Sequence, residues 1–366
     1  MMEEIPHLLQ WNSTLGRFSS VNKLFRSNVL KALDALIGRL RNTDRAMGVA
    51  LAQALEACDE EVFRRAVLAP ETTRRVLNPS HFNDEHTAAY IRLAIQTEYV
   101  VAGRQKWVPK TQVWSALGDA AVTTSGAVRL FPRIDSPIAL DFGSPSAAIS
   151  VGNAAAPGTV TLAFTSTLME EIGGKLKTAV GRLARASPSL KDLVDSSLFA
   201  VVFSVDQSVQ GLSSGSTPSH IGRMRFSNAQ MANDYQFVEI ITHECTHNVI
   251  HMLETEEQWI DREDQLPAHN SVVSPWSGRS LSFRKYLEAN FVWYGLYHLW
   301  KRIIETETLP PEGALPYLRE AAKGFHCGSN LDRLGDKAHF LNPKVQSMLT
   351  EIQTLVLTDA LEPFVA

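Results

Sequence analysis

NDYQFVEIITHECTHNVIHMLE, residues 233–254, carries apolar side chains at helical spacing and two histidines that flank a glutamate. Val238, Ile241, Cys245, Val249 and Met252 form one stripe of an amphipathic helix. Asn233 or Asp234 stands where a side chain can cap the first turn. The opposite side carries His243-Glu244-Cys245-Thr246-His247, an H-E-x-x-H pattern. Spacing of i to i+4 puts both imidazoles on one face, a turn apart, where two ring nitrogens can hold one metal ion. Glu244 lies beside that face, where it can hydrogen-bond a metal-bound water. The competing reading is an exposed helix with incidental histidines, and the apolar stripe and the cap favour the metal. His251 extends the row by a further turn. Positions 243, 247 and 251 span two turns, more than one ion can reach from a straight helix. His251 therefore reads as a supporting or merely polar histidine.

A metal site needs a ligand from elsewhere. SFRKYLEANFVWYGLYHLWKR, residues 282–302, predicts a second helix with an apolar stripe at Leu287, Phe291, Tyr294 and Leu299. Glu288 sits within that stripe, and a carboxylate on a core-facing helix requires a partner such as a metal. Its alternative is an i, i+4 pair with Arg284. His298, nearly three turns beyond and on the face of Tyr294, is a weaker third ligand. His243, His247 and Glu288 make a two-histidine, one-carboxylate set with open positions. Such a set serves zinc hydrolysis or non-haem Fe(II) oxygen chemistry, and the ligands alone do not choose between them.

Outward from these helices, the 366 residues predict a mostly helical α+β protein in two parts. Residues 1–130 read as a helical N-terminal region, with helices over 21–42, 44–68 and 86–105. Residues 131–366 read as an α+β metal-binding catalytic domain ending in helices. Strands are expected over 160–167, 197–208 and 220–228, with a helix over 169–186 between the first two. The acidic run 254–265 reads as a solvated loop and 344–362 as a C-terminal helix. A net charge of −4 argues against a nucleic-acid binder, and no apolar run approaches the roughly 20 residues that cross a bilayer. Three scattered cysteines and a start, MMEEIPHLLQ, without a basic-then-apolar pattern fit a cytoplasmic protein. The pair His326-Cys327 reads as structural.

The stretch from the H-E-x-x-H helix through Pro275-Trp276, Arg279 and YLEANFVWYGLYHLW resembles the HExxH-type peptide β-hydroxylases of ribosomal peptide modification clusters. The fragment EEVFRRAVLAPETTRRVL, residues 60–77, is also similar to the N-terminal part of that family. The resemblance is specific over about 234–303. Ser277 follows Trp276 where the family usually has an arginine, and Glu288 falls where many members carry a histidine. The resemblance implies an Fe(II)- and 2-oxoglutarate-dependent enzyme that hydroxylates a side-chain β-carbon of a precursor peptide. His243, His247 and Glu288 would bind the iron. Arg279 and Arg284 become candidates for the distal carboxylate of 2-oxoglutarate, because guanidinium matches carboxylate bidentately; Arg223 and Arg225 are further options. The alternative is a gluzincin-like zinc peptidase with Glu244 as general base and an edge strand such as 220–228 receiving an extended substrate.

Overall fold

A computed structural model of the chain describes residues 2–12, 17–134, 136–145, 164–205, 211–261, 263–266 and 270–359. The protein is mostly helical with small sheets, as its patterning predicts. It divides into two compact units. One comprises Met1–Asn22, Thr178–Ser196 and Asn233–Ala366; the other comprises Lys23–Lys177 and Ser197–Ala232. The sequence suggested a boundary between 130 and 131, whereas residues 23–177 and 197–232 fall in one unit, within which His220 Nε2 meets the Glu71 carboxylate at 3.2 Å.

The second unit contains most of α1 (Arg17–Thr43), then α2 (Arg45–Glu56), α3 (Pro70–Leu77) and α4 (Asp84–Val101). Asp44 caps α2 by accepting from Met47 N, and Asn83 caps α4 by accepting from His86 N. The helix expected over 44–68 breaks after Glu56. Asp59 accepts from Val62 N and starts a new turn, as an aspartate at an N-cap favours. Three short strands, β1 (Val113–Trp114), β2 (Ala120–Val122) and β3 (Val128–Leu130), form an antiparallel sheet inside the region expected to be helical. Arg65 is buried between Glu98 and Asp119, at 2.8 and 2.6 Å, and links α4 to the loop before β2.

After β4 (Ala139–Asp141) come α5 (Ser166–Ala186) and α6 (Pro188–Ser197), then β5 (Ala200–Ser204), β6 (Ser213–Gly215) and β7 (Arg223–Ser227). The sheet order is β4-β5-β7-β6, with β4, β5 and β7 parallel and β6 antiparallel to β7. The segment 220–228 therefore does not supply an edge strand: β7 is hydrogen-bonded on both sides, which withdraws it as a template for an added strand. Of the strand expected over 160–167, residues 160–163 lie outside the described residues, and Ser166 opens α5.

The first unit holds α7 (Asp234–Glu254), the hairpin β8 (Val272–Val273) and β9 (Ser280–Leu281), α8 (Phe283–Glu305), α9 (Pro311–Lys323) and α10 (Pro343–Thr358). Helix α8 packs against α7, α9 and α10. The stripes on α7 and α8 face this interior, and every residue named for them is buried. Trp276 is wedged here: Nε1 donates to Ala321 O at 2.9 Å, the ring stacks on Trp293, and Phe325 meets it edge-on. Gly324 lets the chain pass this ring, because a Cβ there would stand 2.1 Å from it. Its backbone is right-handed, with φ −66°, so alanine costs nothing conformationally. Alanine would gain about 1 kcal/mol of propensity in a helix interior. Overpacking against a ring held by Trp293, Phe325 and the Ala321 carbonyl costs about 1–3 kcal/mol or more and wins. Gly324→Ala is expected to lower unfolding free energy by about 1–2 kcal/mol in a urea titration; an unchanged midpoint would show that the indole moves freely.

Candidate metal centre

Helix α7 is fixed at its start by a reciprocal cap. Asn233 Oδ1 accepts from Gln236 N and Gln236 Oε1 accepts from Asn233 N, both at 2.9 Å. Ser282 caps α8 by accepting from Lys285 N. From these two starts, α7 presents His243, His247, His251 and Glu254 at successive turns, and α8 answers with Arg284 and Glu288.

Glu288 is 7% exposed, with its carboxylate between two imidazoles. Oε2 lies 2.8 Å from His247 Nδ1, and Oε1 lies 3.4 Å from His251 Nε2. These are close charge contacts without aligned hydrogen bonds: His247 Nδ1 and both ring nitrogens of His251 are buried and have no hydrogen-bond partner. Among the described residues, His247, His251 and Glu288 form a group whose ligand atoms all lie within 4.8 Å of one another. The sequence reading named Glu288 and His247 together and placed His251 outside the ligand set. The structure brings His251 in. His243 stands outside this group, its ring centroid 5.0 Å from that of His247. The i, i+4 rule selects 243/247 and 247/251 equally, so the choice rests on where α8 places its carboxylate.

The electrostatics follow from burial and from this contact. Burial pushes the Glu288 carboxyl up, but His247 and His251 outweigh it and hold the group well below the usual carboxylate range. Burial lowers His247, yet contact with Glu288 leaves it raised overall. His243 is pushed down to about 4 by burial, so its ring is neutral at ordinary pH. Glu244 is 1% exposed and its charge acts on both His243 and His247. A divalent cation suits this donor set: two nitrogens and a carboxylate oxygen are ordinary zinc or iron ligands, and the unpartnered nitrogens gain a partner.

The other predicted residues are placed elsewhere. Arg284 donates to both oxygens of Glu254 at 2.6 Å and pairs with Glu263 at 2.6 and 3.0 Å. It thus serves two carboxylates of the acidic run 254–265 rather than Glu288. That run is only partly a solvated loop, since Trp259 and Ile260 are fully buried and Trp259 packs edge-on against Phe291. Arg279 is exposed on the β8–β9 turn, where its carbonyl accepts from Ser274 N. Arg223 and Arg225 lie on β7 of the other unit, with Arg223 3.9 Å from Glu71. His298 lines a polar cavity of about 320 Å³ with Lys301, Arg302 and Asp359, and burial pushes it down to about 3. Ten residues of helix separate it from Glu288, roughly 15 Å.

Two half-buried acids on α7 were not read from the sequence. Glu254 is raised by burial, which outweighs its contact with Arg284. Glu239, one turn before His243, is pushed up to about 7 by burial, against a hydrogen bond with Trp300. Their spacing from the histidines, i−4 from His243 and i+3 from His251, was the available signal. No family model matches this chain, and no curated protein is similar to it.

Arg284→Met strands Glu254 without its cation, so unfolding free energy should fall by about 2–4 kcal/mol in denaturant titration. Adding Glu254→Gln should recover part of the loss; a double-variant loss equal to the sum of the two single-variant losses would mean the pair is not coupled. Glu239 holds a proton in the folded chain that the unfolded chain releases between its ordinary 4.5 and about 7. Its destabilisation is therefore absent below 4.5, grows through that window and is constant above 7. Glu239→Gln should raise stability by about 1–2 kcal/mol at pH 8 and leave it unchanged near pH 4.5, read from thermal melts.

Proposed function

We propose that this chain is a mononuclear metal enzyme that modifies a peptide, an Fe(II)- and 2-oxoglutarate-dependent hydroxylase of a side-chain β-carbon. The observation that carries the metal is Glu288, a buried carboxylate facing imidazole nitrogens that have no hydrogen-bond partner. The resemblance over about 234–303 supports the oxygenase over other metal chemistry. His247, Glu288 and a second α7 imidazole would hold the iron, which when bound supplies the centre for oxygen activation. The net reaction converts 2-oxoglutarate, oxygen and a C–H bond to succinate, carbon dioxide and a C–OH bond.

The chain's own residues set the conditions for this. One carboxylate and two imidazoles leave a divalent ion with net positive charge, which favours an anionic co-substrate such as a keto acid. Burial of His251 and Glu288 keeps bulk water from that end of the ligand face of α7. Arg284 is committed to Glu254 and Glu263, so Arg279, with its exposed side chain, is the arginine assigned to the distal carboxylate of 2-oxoglutarate.

A zinc peptidase is the second reading, favoured by one observation: Glu244 is buried beside His243 and His247, the place for a general base acting on a metal-bound water. The two separate cleanly. Loaded anaerobically with Fe(II) and then given oxygen, 2-oxoglutarate and a precursor peptide, the protein should form succinate and add one oxygen atom to the peptide. Cleavage of the peptide by the zinc-loaded chain without 2-oxoglutarate, abolished in Glu244→Gln, would replace the oxygenase by the peptidase. Arg279→Gln should raise KM for 2-oxoglutarate by about tenfold or more while kcat stays within about twofold.

A further inference from the structure

The described residues hold few alternatives to α7 and α8 as a source of new chemistry. The cavity lined by His298, Lys301, Arg302 and Asp359 is polar but carries both charge signs. The buried cluster of Arg65, Glu98 and Asp119 is internally paired. His251 is different. Its side chain is 1% exposed and neither ring nitrogen has a hydrogen-bond partner. A neutral imidazole carries one donor and one acceptor, and leaving each unmatched in the interior costs about 1–3 kcal/mol. A cation on Nε2 would supply one of the two missing partners.

The neighbouring atoms fit that cation. Glu288 Oε1 is 3.4 Å from His251 Nε2, and Oε2 is 2.8 Å from His247 Nδ1. Ligands held about 2.1 Å from an ion stand roughly 3.0 Å apart at octahedral and 3.4 Å apart at tetrahedral angles. The His251 contact matches the tetrahedral edge, and the His247 contact falls slightly inside the octahedral one. His243 has no counterpart to these contacts and lies outside the group.

We propose that the metal ligands are His247, His251 and Glu288, so that the ion sits one helical turn beyond the H-E-x-x-H pair. This assignment rests on the reading of the chain as a metal enzyme and fixes which residues serve it. His243 and Glu244 then line the approach to the ion without binding it. A one-turn shift also places the centre next to Glu254, whose charge Arg284 balances, so the ion-pair network of Arg284 ends beside the metal rather than at the co-substrate.

The test uses Co(II) and the full chain. His251→Gln should weaken Co(II) binding by more than about 100-fold, beyond the 10–100-fold of a supporting residue. His243→Gln should change it by less than about threefold. Cysteine, smaller than histidine, supplies a second measurement with its own signature. In His251→Cys, Co(II) should give a thiolate-to-cobalt charge-transfer band in the near ultraviolet, absent from the parent chain and from His243→Cys; circular dichroism verifies the fold of each. A charge-transfer band in His243→Cys and none in a folded His251→Cys overturns this ligand assignment and leaves the metal-enzyme reading intact. A parent chain that binds no Co(II), Zn(II) or Fe(II) overturns both.

Discussion

A single carboxylate sets the terms for the first unit. Glu288 enters an interior of aromatic and aliphatic side chains, where an ionised group is tolerated only against partners. Its partners lie on α7, so the register between α7 and α8 is dictated by charge as much as by packing. Arg284, one turn earlier on α8, meets Glu254 at the end of α7 and Glu263 beyond it. The two contacts act as pegs along one helix seam: slide either helix by a turn and a charge is left buried without its counterpart. Apolar stripes tolerate small shifts, whereas this alternation of signs does not.

Local chemistry was the part legible in the sequence. The cap at Asn233, the stripes of α7 and α8 and the inward placement of Glu288 depend only on neighbours within a few turns, and residue spacing encodes those. The choice between His243 and His251 is not local. Both stand four residues from His247, and only the height of Glu288 on the other helix separates them. The interior position of β7 was hidden for the same reason, since no property of Arg223–Ser227 reveals that β5 and β6 lie on either side. The sheet β1–β3 was missed because its strands are two or three residues long, too short for alternation to register, although Gly126, with φ +81°, marks its turn. The break after Glu56 was visible in Asp59, a good cap obscured by helix-forming residues around it.

The acidic run 254–265 shows how composition misleads when charge is counted without partners. Most of its residues meet solvent, yet Trp259 and Ile260 anchor it in the core and its two paired glutamates converge on one guanidinium. What reads as a solvated loop is a strap that closes the far end of the seam between α7 and α8. Trp276 closes another part of the same unit, and its fit depends on a glycine forty-eight positions later. Neither dependence is visible until the chain is folded.

The division of the chain also bears on how the protein comes into being. Trp11 Nε1 donates to Gly295 O and Gln10 donates to the Tyr294 hydroxyl, each pair 284 residues apart, while Ser187 Oγ donates to Trp11 O. During synthesis the early segment must wait, its indole unsheltered, until α8 emerges from the ribosome. Closing so long a loop is entropically unfavourable and slow. The second unit draws on residues 23–232 alone and so can mature first. The seam between α7 and α8, with Glu288 between His247 and His251, then closes late, once nearly all of the chain has been made.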